Sequence, residues 1–294
     1  MKTLIIGSKN FGTKNDPTFI ANNTNSDICF FEDLIFDIKT NSVQVLNKTE
    51  NILEKGYDTI ICLGWYKTGK LSFYRDVAYS LALTFDHAGI KYWNSEMGTQ
   101  RSTSKLSQMV LLALNGHKIA DTIFSLDGSK LTDYITDGKK HIVKTAMGSC
   151  GKNNFLLDSK NEIIGLLTSG KRPFNHFLVQ EFIENDHDLR VICFGGKPHL
   201  VLKRSRKDNS THLNNTSQGG TGEWVEITPE LKAEATAISK LFGREMGGVD
   251  FIETIDKNGY VCYYCLEINA IPQLTSGSDV NRKMSELKSV LNEN

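Results

Sequence analysis

Two apolar runs near the C-terminal end constrain this chain most. They are Gly247-Gly-Val-Asp-Phe-Ile-Glu253 and Cys265-Leu-Glu-Ile-Asn-Ala-Ile-Pro272. Both read as β-strands, joined by a hairpin through Lys257-Asn258-Gly259. Residues two apart on a strand share a face, so Glu267 and Asn269 project together, and the hairpin can bring Asp250 alongside. Two carboxylates and an amide oxygen form a hard-oxygen cluster of the kind that suits Mg²⁺ held with help from substrate phosphates. The competing reading of a lone Glu-x-Asn is an acidic strand edge, and only partners elsewhere in the chain decide against it.

At 294 residues the chain is long enough for two or three subdomains. Its 34 basic residues balance 34 acidic ones, so no global field favours nucleic acid or an anionic membrane, and neither is expected as a partner. The apolar run after Met1-Lys2-Thr3 is too short for a signal segment, and no stretch approaches a membrane span, so a cytoplasmic protein is expected. The 6 cysteines are scattered through apolar runs, as buried reduced thiols are. Cys262-Tyr-Tyr-Cys265 matches C-x-x-C, but a strand turns its two thiols to opposite faces and no second pair accompanies it.

Residues 1–98 read as a small α/β domain. Leu4-Ile5-Ile6 and Thr59–Leu63 look like buried parallel strands, with an amphipathic helix over 71–87 and a strand at 91–93. A helix over 102–115 follows. Strands are expected at 122–124, 141–144, 154–157 and 177–182, with short helices at 130–136 and 162–167. The last third adds strands near 189–194 and 199–203, a helix over 229–242, the hairpin, and a closing helix striped by Val280, Met284, Leu287 and Leu291. Residues 208–222 are polar and read as a long loop.

Several segments carry chemistry. Lys144 ends a strand and precedes Gly148-Ser149-Cys150-Gly151, small residues whose amides can wrap phosphate oxygens beside a point charge; a plain glycine turn is the alternative. Gly7-Ser-Lys-Asn-Phe-Gly12-Thr13-Lys14 falls short of a Walker A loop, has no clear helix after it, and reads as a strand-to-loop connection bordering a cleft. Val179–Glu184 could offer alternating backbone groups to an adenine edge, with Phe182 and Ile183 lining a base pocket. Asp188 and Arg190 alternate with Leu189 and Val191. Arg204 ends an apolar strand and is expected to point into a site, while Arg206 and Lys207 face water.

In this order, the segments resemble the ATP-grasp superfamily, most closely its RimK-like carboxylate–amine ligases. The matching residues are Lys105, Val143-Lys144 with Gly148-Ser149-x-Gly151, Gln180–Ile183 with Asp188–Val191, Arg204, Asn215 before Gly219-Gly220, Gly248–Asp250 and Glu267–Pro272, covering about residue 101 onward. The resemblance implies an α/β protein with α+β character in its C-terminal part: a small domain at 1–98, then an ATP-grasp fold of two subdomains, 99–184 and 185–294, with the nucleotide between them. It implies that Lys105 and Lys144 contact the ATP phosphates, with the 148–151 loop over them. Glu181, Phe182 and Ile183 would hold adenine, and Asp188 would sit near the ribose. Asp250, Glu267 and Asn269 would bind two Mg²⁺, with Mn²⁺ as an alternative, and Arg204 and Asn215 would reach the γ-phosphate and acyl group. The chain departs from the family pattern at Ser104, Asn153, Leu213 and Gln273.

The implied reaction is amide or peptide bond formation through an acyl phosphate, releasing ADP and phosphate. Its partners would be a carboxylate and an amine, the latter on an amino acid, peptide or protein tail, and the oligomeric state is left open. The rival from another class is a non-catalytic ATP-binding regulatory module on the same fold.

Overall fold

The computed structural model describes residues 1–9, 15–64, 73–99, 104–146, 153–168, 176–206, 214 and 220–293. The first unit contains β1 (Thr3–Gly7), α1 (Pro17–Thr24), β2 (Asp27–Phe30), β3 (Leu34–Lys39), β4 (Ser42–Asn47), β5 (Glu50–Asn51), β6 (Thr59–Cys62), α2 (Phe73–Ala88) and β7 (Tyr92–Trp93). Its main sheet is parallel, ordered β2-β1-β6-β7. Leu4 and Ile6 face one core with Ile60, Cys62 and α2, whereas Ile5 and Ile61 face another with α1 and the C-terminal part of the chain. Both faces are buried, which is why these strands read as unbroken apolar runs.

Several features differ from the sequence reading, β2 among them, since no strand is expected at 27–30. No helix is expected after Gly12-Thr13-Lys14, yet α1 is present, capped by Asp16, whose side chain accepts from the Thr18 and Phe19 amides, with Pro17 opening the helix. Gly7 permits this approach, since a Cβ there would lie 2.3 Å from Pro17 Cγ. An unexpected antiparallel sheet, β3-β4-β5, also occupies residues 34–51, turning at Asn41 with φ 63°.

The second unit holds α3 (Lys105–Leu114), β8 (Thr122–Phe124), β9 (His141–Thr145), β10 (Asn154–Leu157), α4 (Lys160–Thr168) and β11 (Phe177–Glu181) in an antiparallel sheet ordered β10-β9-β11-β8. The helix expected at 130–136 is a 3₁₀ segment, Gly128–Tyr134. The third contains β12 (His187–Phe194), β13 (Lys197–Ser205), β14 (Thr221–Val225), α5 (Pro229–Phe242), β15 (Gly247–Ile255), β16 (Val261–Asn269) and α6 (Val280–Glu293). Its antiparallel sheet runs β14-β13-β12-β15-β16. Apart from Asn214 and residues 220–222, the polar loop expected at 208–222 lies outside the described residues.

The two faces of the five-stranded sheet have different tasks. Leu189, Val191, Cys193, Val201, Val249, Phe251, Cys265 and Ile268 face the core under α5 and α3. The opposite face carries Asp188, Arg190, Arg204 and Asp250 towards one end and Ile192, Phe194 and Leu200 towards the other, where they pack on the first unit. Strict alternation would put Cys265 and Glu267 on one face. A bulge prevents this: Asp250 pairs with Glu267 but Phe251 pairs with Cys265, leaving Leu266 as the extra residue.

Gly243, after α5, meets the first unit. It has φ +61°, its carbonyl accepts from the Glu96 amide at 3.0 Å, and an added Cβ would lie 2.7 Å from Ser95 Oγ and 2.9 Å from the Glu96 nitrogen. Gly259, at the hairpin tip with φ +84°, has open space around it. Gly243→Ala should therefore cost about 1–3 kcal/mol beyond the roughly 1 kcal/mol of left-handed strain expected for Gly259→Ala. Thermal unfolding of both variants checks this, and equal losses would contradict the close approach.

Candidate active site

β12, β13, β15 and β16 bring the charged residues together by register. Asp188 lies opposite Arg204, Arg190 opposite Asp250, and Asp250 opposite Glu267. Arg190 grips Asp250 with two hydrogen bonds, Nε to Oδ1 at 2.8 Å and Nη2 to Oδ2 at 2.6 Å. Arg204 bridges the two aspartates, donating through Nε to Asp188 Oδ1 at 2.5 Å and placing Nη2 3.2 Å from Asp250 Oδ2. Burial raises the Asp250 carboxyl, but Arg190 and then Arg204 outweigh it, and the net shift is downward.

At β16, Asn269 Nδ2 donates to Glu267 Oε1 at 3.1 Å, so the two side chains do project together. Lys105, the first residue of α3, places Nζ 3.5 Å from Glu267 Oε2. The main chain fixes that helix start: Lys105 N–H donates to the Ala146 carbonyl, just beyond β9. Lys144, on β9, is buried; desolvation pushes its ammonium down to about 8, against the pull of Glu267 and with the help of Lys105. The cluster thus holds Lys105, Lys144, Arg190 and Arg204 against Asp188, Asp250 and Glu267, an excess of positive charge suited to a polyanion.

The residues fit a hard divalent cation. Among the described residues no three of His, Cys, Asp and Glu form a cage, but Mg²⁺ rarely uses one, binding through one or two carboxylates together with substrate phosphates. Asp250 already accepts from two arginines, leaving roughly one of its four acceptor directions for a cation.

Not every expected residue joins the cluster. Glu181 ends β11 with its side chain paired to Lys139 at 2.8 Å. The Glu181 and Phe182 amides are already engaged by the Asp121 and Lys140 carbonyls, so an adenine edge there would meet the Ile183 amide and the Glu181 and Phe182 carbonyls, a narrower set than the alternating ladder expected from sequence. Gly148, Ser149, Cys150, Gly151 and Asn215 lie outside the described residues. Asn214 is buried and donates to Asn185 Oδ1 at 2.8 Å. Cys29, Cys62, Cys193, Cys262 and Cys265 are buried and free; Cys265 lies in the core under α5 while Cys262, next to Tyr263 on the strand, faces the other way.

Sequence reasoning assigned no role to three groups. Arg190 had a signal, two residues from Asp188 and hence on its face. Gln108, three residues after Lys105 on α3, accepts from the Ile268 amide at 3.0 Å. Lys283 on α6 is buried, bonds to the Gln273 and Ser276 carbonyls at 2.6 and 2.8 Å, and is pushed down to about 8 by desolvation and then by Arg190. With Arg190, Arg204 and Trp224 it lines a cleft beside Asp250.

The fold is that of the ATP-grasp ligases. A profile of the RimK-like ATP-grasp domain matches residues 102–287, and the chain belongs to that family. It is 28% identical over 243 residues to a probable alpha-L-glutamate ligase of Maridesulfovibrio salexigens, covering 81% of this chain and 76% of that one. Its fold is similar to the ATP-grasp ligase PsnB complexed with minimal precursor, Mg and ADP, with a TM-score of 0.71, 16% identity, and 99% and 96% of the two chains covered. It is also similar to a Chryseobacterium gregarium RiPP-associated ATP-grasp ligase in complex with ADP and a leader and core peptide, with a TM-score of 0.69, 13% identity, and 100% and 97% covered. The chain is accordingly an ATP-dependent carboxylate–amine ligase.

Removing Arg190 should leave Asp250 under-compensated in its buried position. Arg190→Met is expected to lower stability by about 3 kcal/mol, with Asp250→Asn in the same chain recovering part of the loss. A double-mutant cycle by urea unfolding measures this, and simple additivity would contradict the coupling.

Proposed function

We propose that the cationic face of the five-stranded sheet is where this ligase activates a carboxylate with ATP and couples it to the amine of an amino acid, peptide or protein tail. What carries the reading is the convergence of Lys105, Lys144 and Arg204 on the Asp250–Glu267–Asn269 set. The substrate class is supported by the glutamate-ligase relative and the peptide-bound neighbour. The nucleotide would lie between subdomains 99–184 and 185–294, with adenine at Glu181–Ile183 and Asp188 towards the ribose. The 148–151 loop would cover the phosphates. Availability of ATP makes the cytoplasm the natural setting.

A free carboxylate is a poor acyl donor because oxide is a hopeless leaving group. Its oxygen attacks the γ-phosphorus and ADP departs, giving an acyl phosphate. The amine nitrogen then attacks the carbonyl carbon, phosphate leaves with the C–O bonding pair, and the amine proton passes to solvent. The protein's share of the first step is positioning and charge neutralisation. Lys105 and Lys144 hold phosphate oxygens, and approaching phosphate charge favours the ammonium form that burial disfavours at Lys144. Two Mg²⁺, or Mn²⁺ in their place, would be held by Asp250, Glu267 and Asn269 and would neutralise charge on the transferring phosphoryl group. Arg204 and Asn215 would face the reacting γ-phosphate and the oxyanion of the second step. The cleft lined by Arg190, Trp224 and Lys283 would receive the organic substrate.

Incubation with ATP, Mg²⁺ and mixtures of amino acids, peptides and proteins should yield ADP and a product lighter by one water than the two substrates combined. Arg204→Ala should lower turnover by about 10²–10³, the scale of losing one preorganised oxyanion donor. Wild-type turnover in that variant would remove Arg204 from the mechanism. Nucleotide binding without ADP release under every combination would favour a regulatory module.

A further inference from the structure

Among the described residues β16 is an edge strand, with β15 on one side and no strand on the other. Along an antiparallel strand, successive residues direct their backbone groups alternately to the partner and away from it. Glu267 and Asn269 flank Ile268, whose N–H and C=O both point outward. An edge strand's outward groups are normally left to water or to whatever covers the edge. At Ile268 two buried side chains take them. Gln108 Oε1 accepts from the amide at 3.0 Å, and Arg244 Nη1 donates to the carbonyl.

Arg244 is 1% exposed and Glu96, in the 3₁₀ segment Ser95–Thr99 of the first unit, 3%. Glu96 holds the guanidinium from the far side, accepting from Nε at 2.6 Å and from Nη2 at 3.0 Å. A buried ion pair of this kind brings little net stability, because desolvating both ions offsets their attraction. Its distinctive product is direction: a planar guanidinium fixed by two bonds aims Nη1 at one point, the Ile268 carbonyl. Gln108 shares the first turns of α3 with Lys105, so one helix touches both the Glu267 carboxylate and the adjoining peptide unit.

We infer that Gln108, Arg244 and Glu96 are positioning residues, which hold the outward-facing N–H and C=O of Ile268 at the edge of β16 and thereby set the direction in which Glu267 and Asn269 present their oxygens to a divalent cation. The inference rests on the reading of Glu267 and Asn269 as cation ligands. The three act through the two peptide groups that flank the Ile268 Cα, one leading to Glu267 and the other to Asn269. The role parallels outer-sphere partners that orient metal ligands, whose loss lowers metal affinity about 10- to 100-fold.

The test uses the full chain with ADP and Mn²⁺ as the probe cation. Mn²⁺ affinity is measured by electron paramagnetic resonance, and exchange of the Ile268 amide by NMR without metal. Gln108→Met keeps the side chain's length and removes its acceptor. It should weaken Mn²⁺ binding about 10- to 100-fold, speed exchange at Ile268, and leave ADP affinity in the absence of metal unchanged. Arg244→Lys, which keeps the charge but loses the fork, should weaken Mn²⁺ binding less than Arg244→Met. If the Arg244 variants fail to fold, Gln108→Met decides alone, being a helix substitution outside the ion pair. Unchanged Mn²⁺ affinity in folded Gln108→Met, with Glu267→Gln strongly impaired, overturns the positioning role and spares the ligand reading. Unchanged affinity in Glu267→Gln as well overturns both.

Discussion

A carboxylate held at 3% exposure stays ionised only if cations stand beside it, and that requirement at Asp250 organises this face of the molecule. Arg190 supplies the paired contact and Arg204 a third, while Arg204 is itself tied to Asp188. Each side chain is placed by the register of a neighbouring strand, so the network and the order β13-β12-β15-β16 support one another. The balance is deliberately uneven. Glu267 and Asp250 are partly neutralised, but Lys144 is buried among charges that do not fully compensate it. A site in this condition suits a ligand bringing negative charge and divalent cations together, as a metal–nucleotide does.

The second organising element is the division of the five-stranded sheet into an apolar face and a charged face. Burial of Val249, Phe251, Cys265 and Ile268 beneath α5 fixes which way the strands turn, and the charged side chains follow because they occupy the remaining positions. The bulge at Leu266 reconciles two demands that a regular strand could not meet with this sequence, sending Cys265 inward and Glu267 outward. Core packing and chemistry are thus set by the same alternation.

Much of this was legible because it is local. Asp250, Glu267 and Asn269 sit in short apolar runs whose period of two gives their faces, and Thr228-Pro229 with Gly243 marks both ends of α5. The β3–β4 hairpin also carried a signal, Leu34–Lys39 followed by a turn at Asn41, but its Ile35, Ile38 and Val43 stay exposed, so no core pattern announced it. Other features had no local signature. Arg244 and Glu96 are 148 residues apart in the chain and meet where Gly243 lets the backbone pass close to Ser95 and Glu96. The bulge changes no residue type, and nothing in Cys265-Leu266-Glu267 distinguishes a bulged strand from a regular one. Engagement of the Glu181 and Phe182 amides likewise depends on Asp121 and Lys140 from other segments.

The oxygens of Asp250, Glu267 and Asn269 are proposed to converge on divalent cations beneath the nucleotide's phosphates. Anomalous diffraction at the manganese edge, from crystals grown with Mn²⁺ and a non-hydrolysable ATP analogue, tests it most directly. A peak is expected within bonding distance, about 2.0–2.3 Å, of Glu267 and of at least one of the other two side chains. A peak elsewhere in the molecule, with these three side chains remote from any cation, would contradict it.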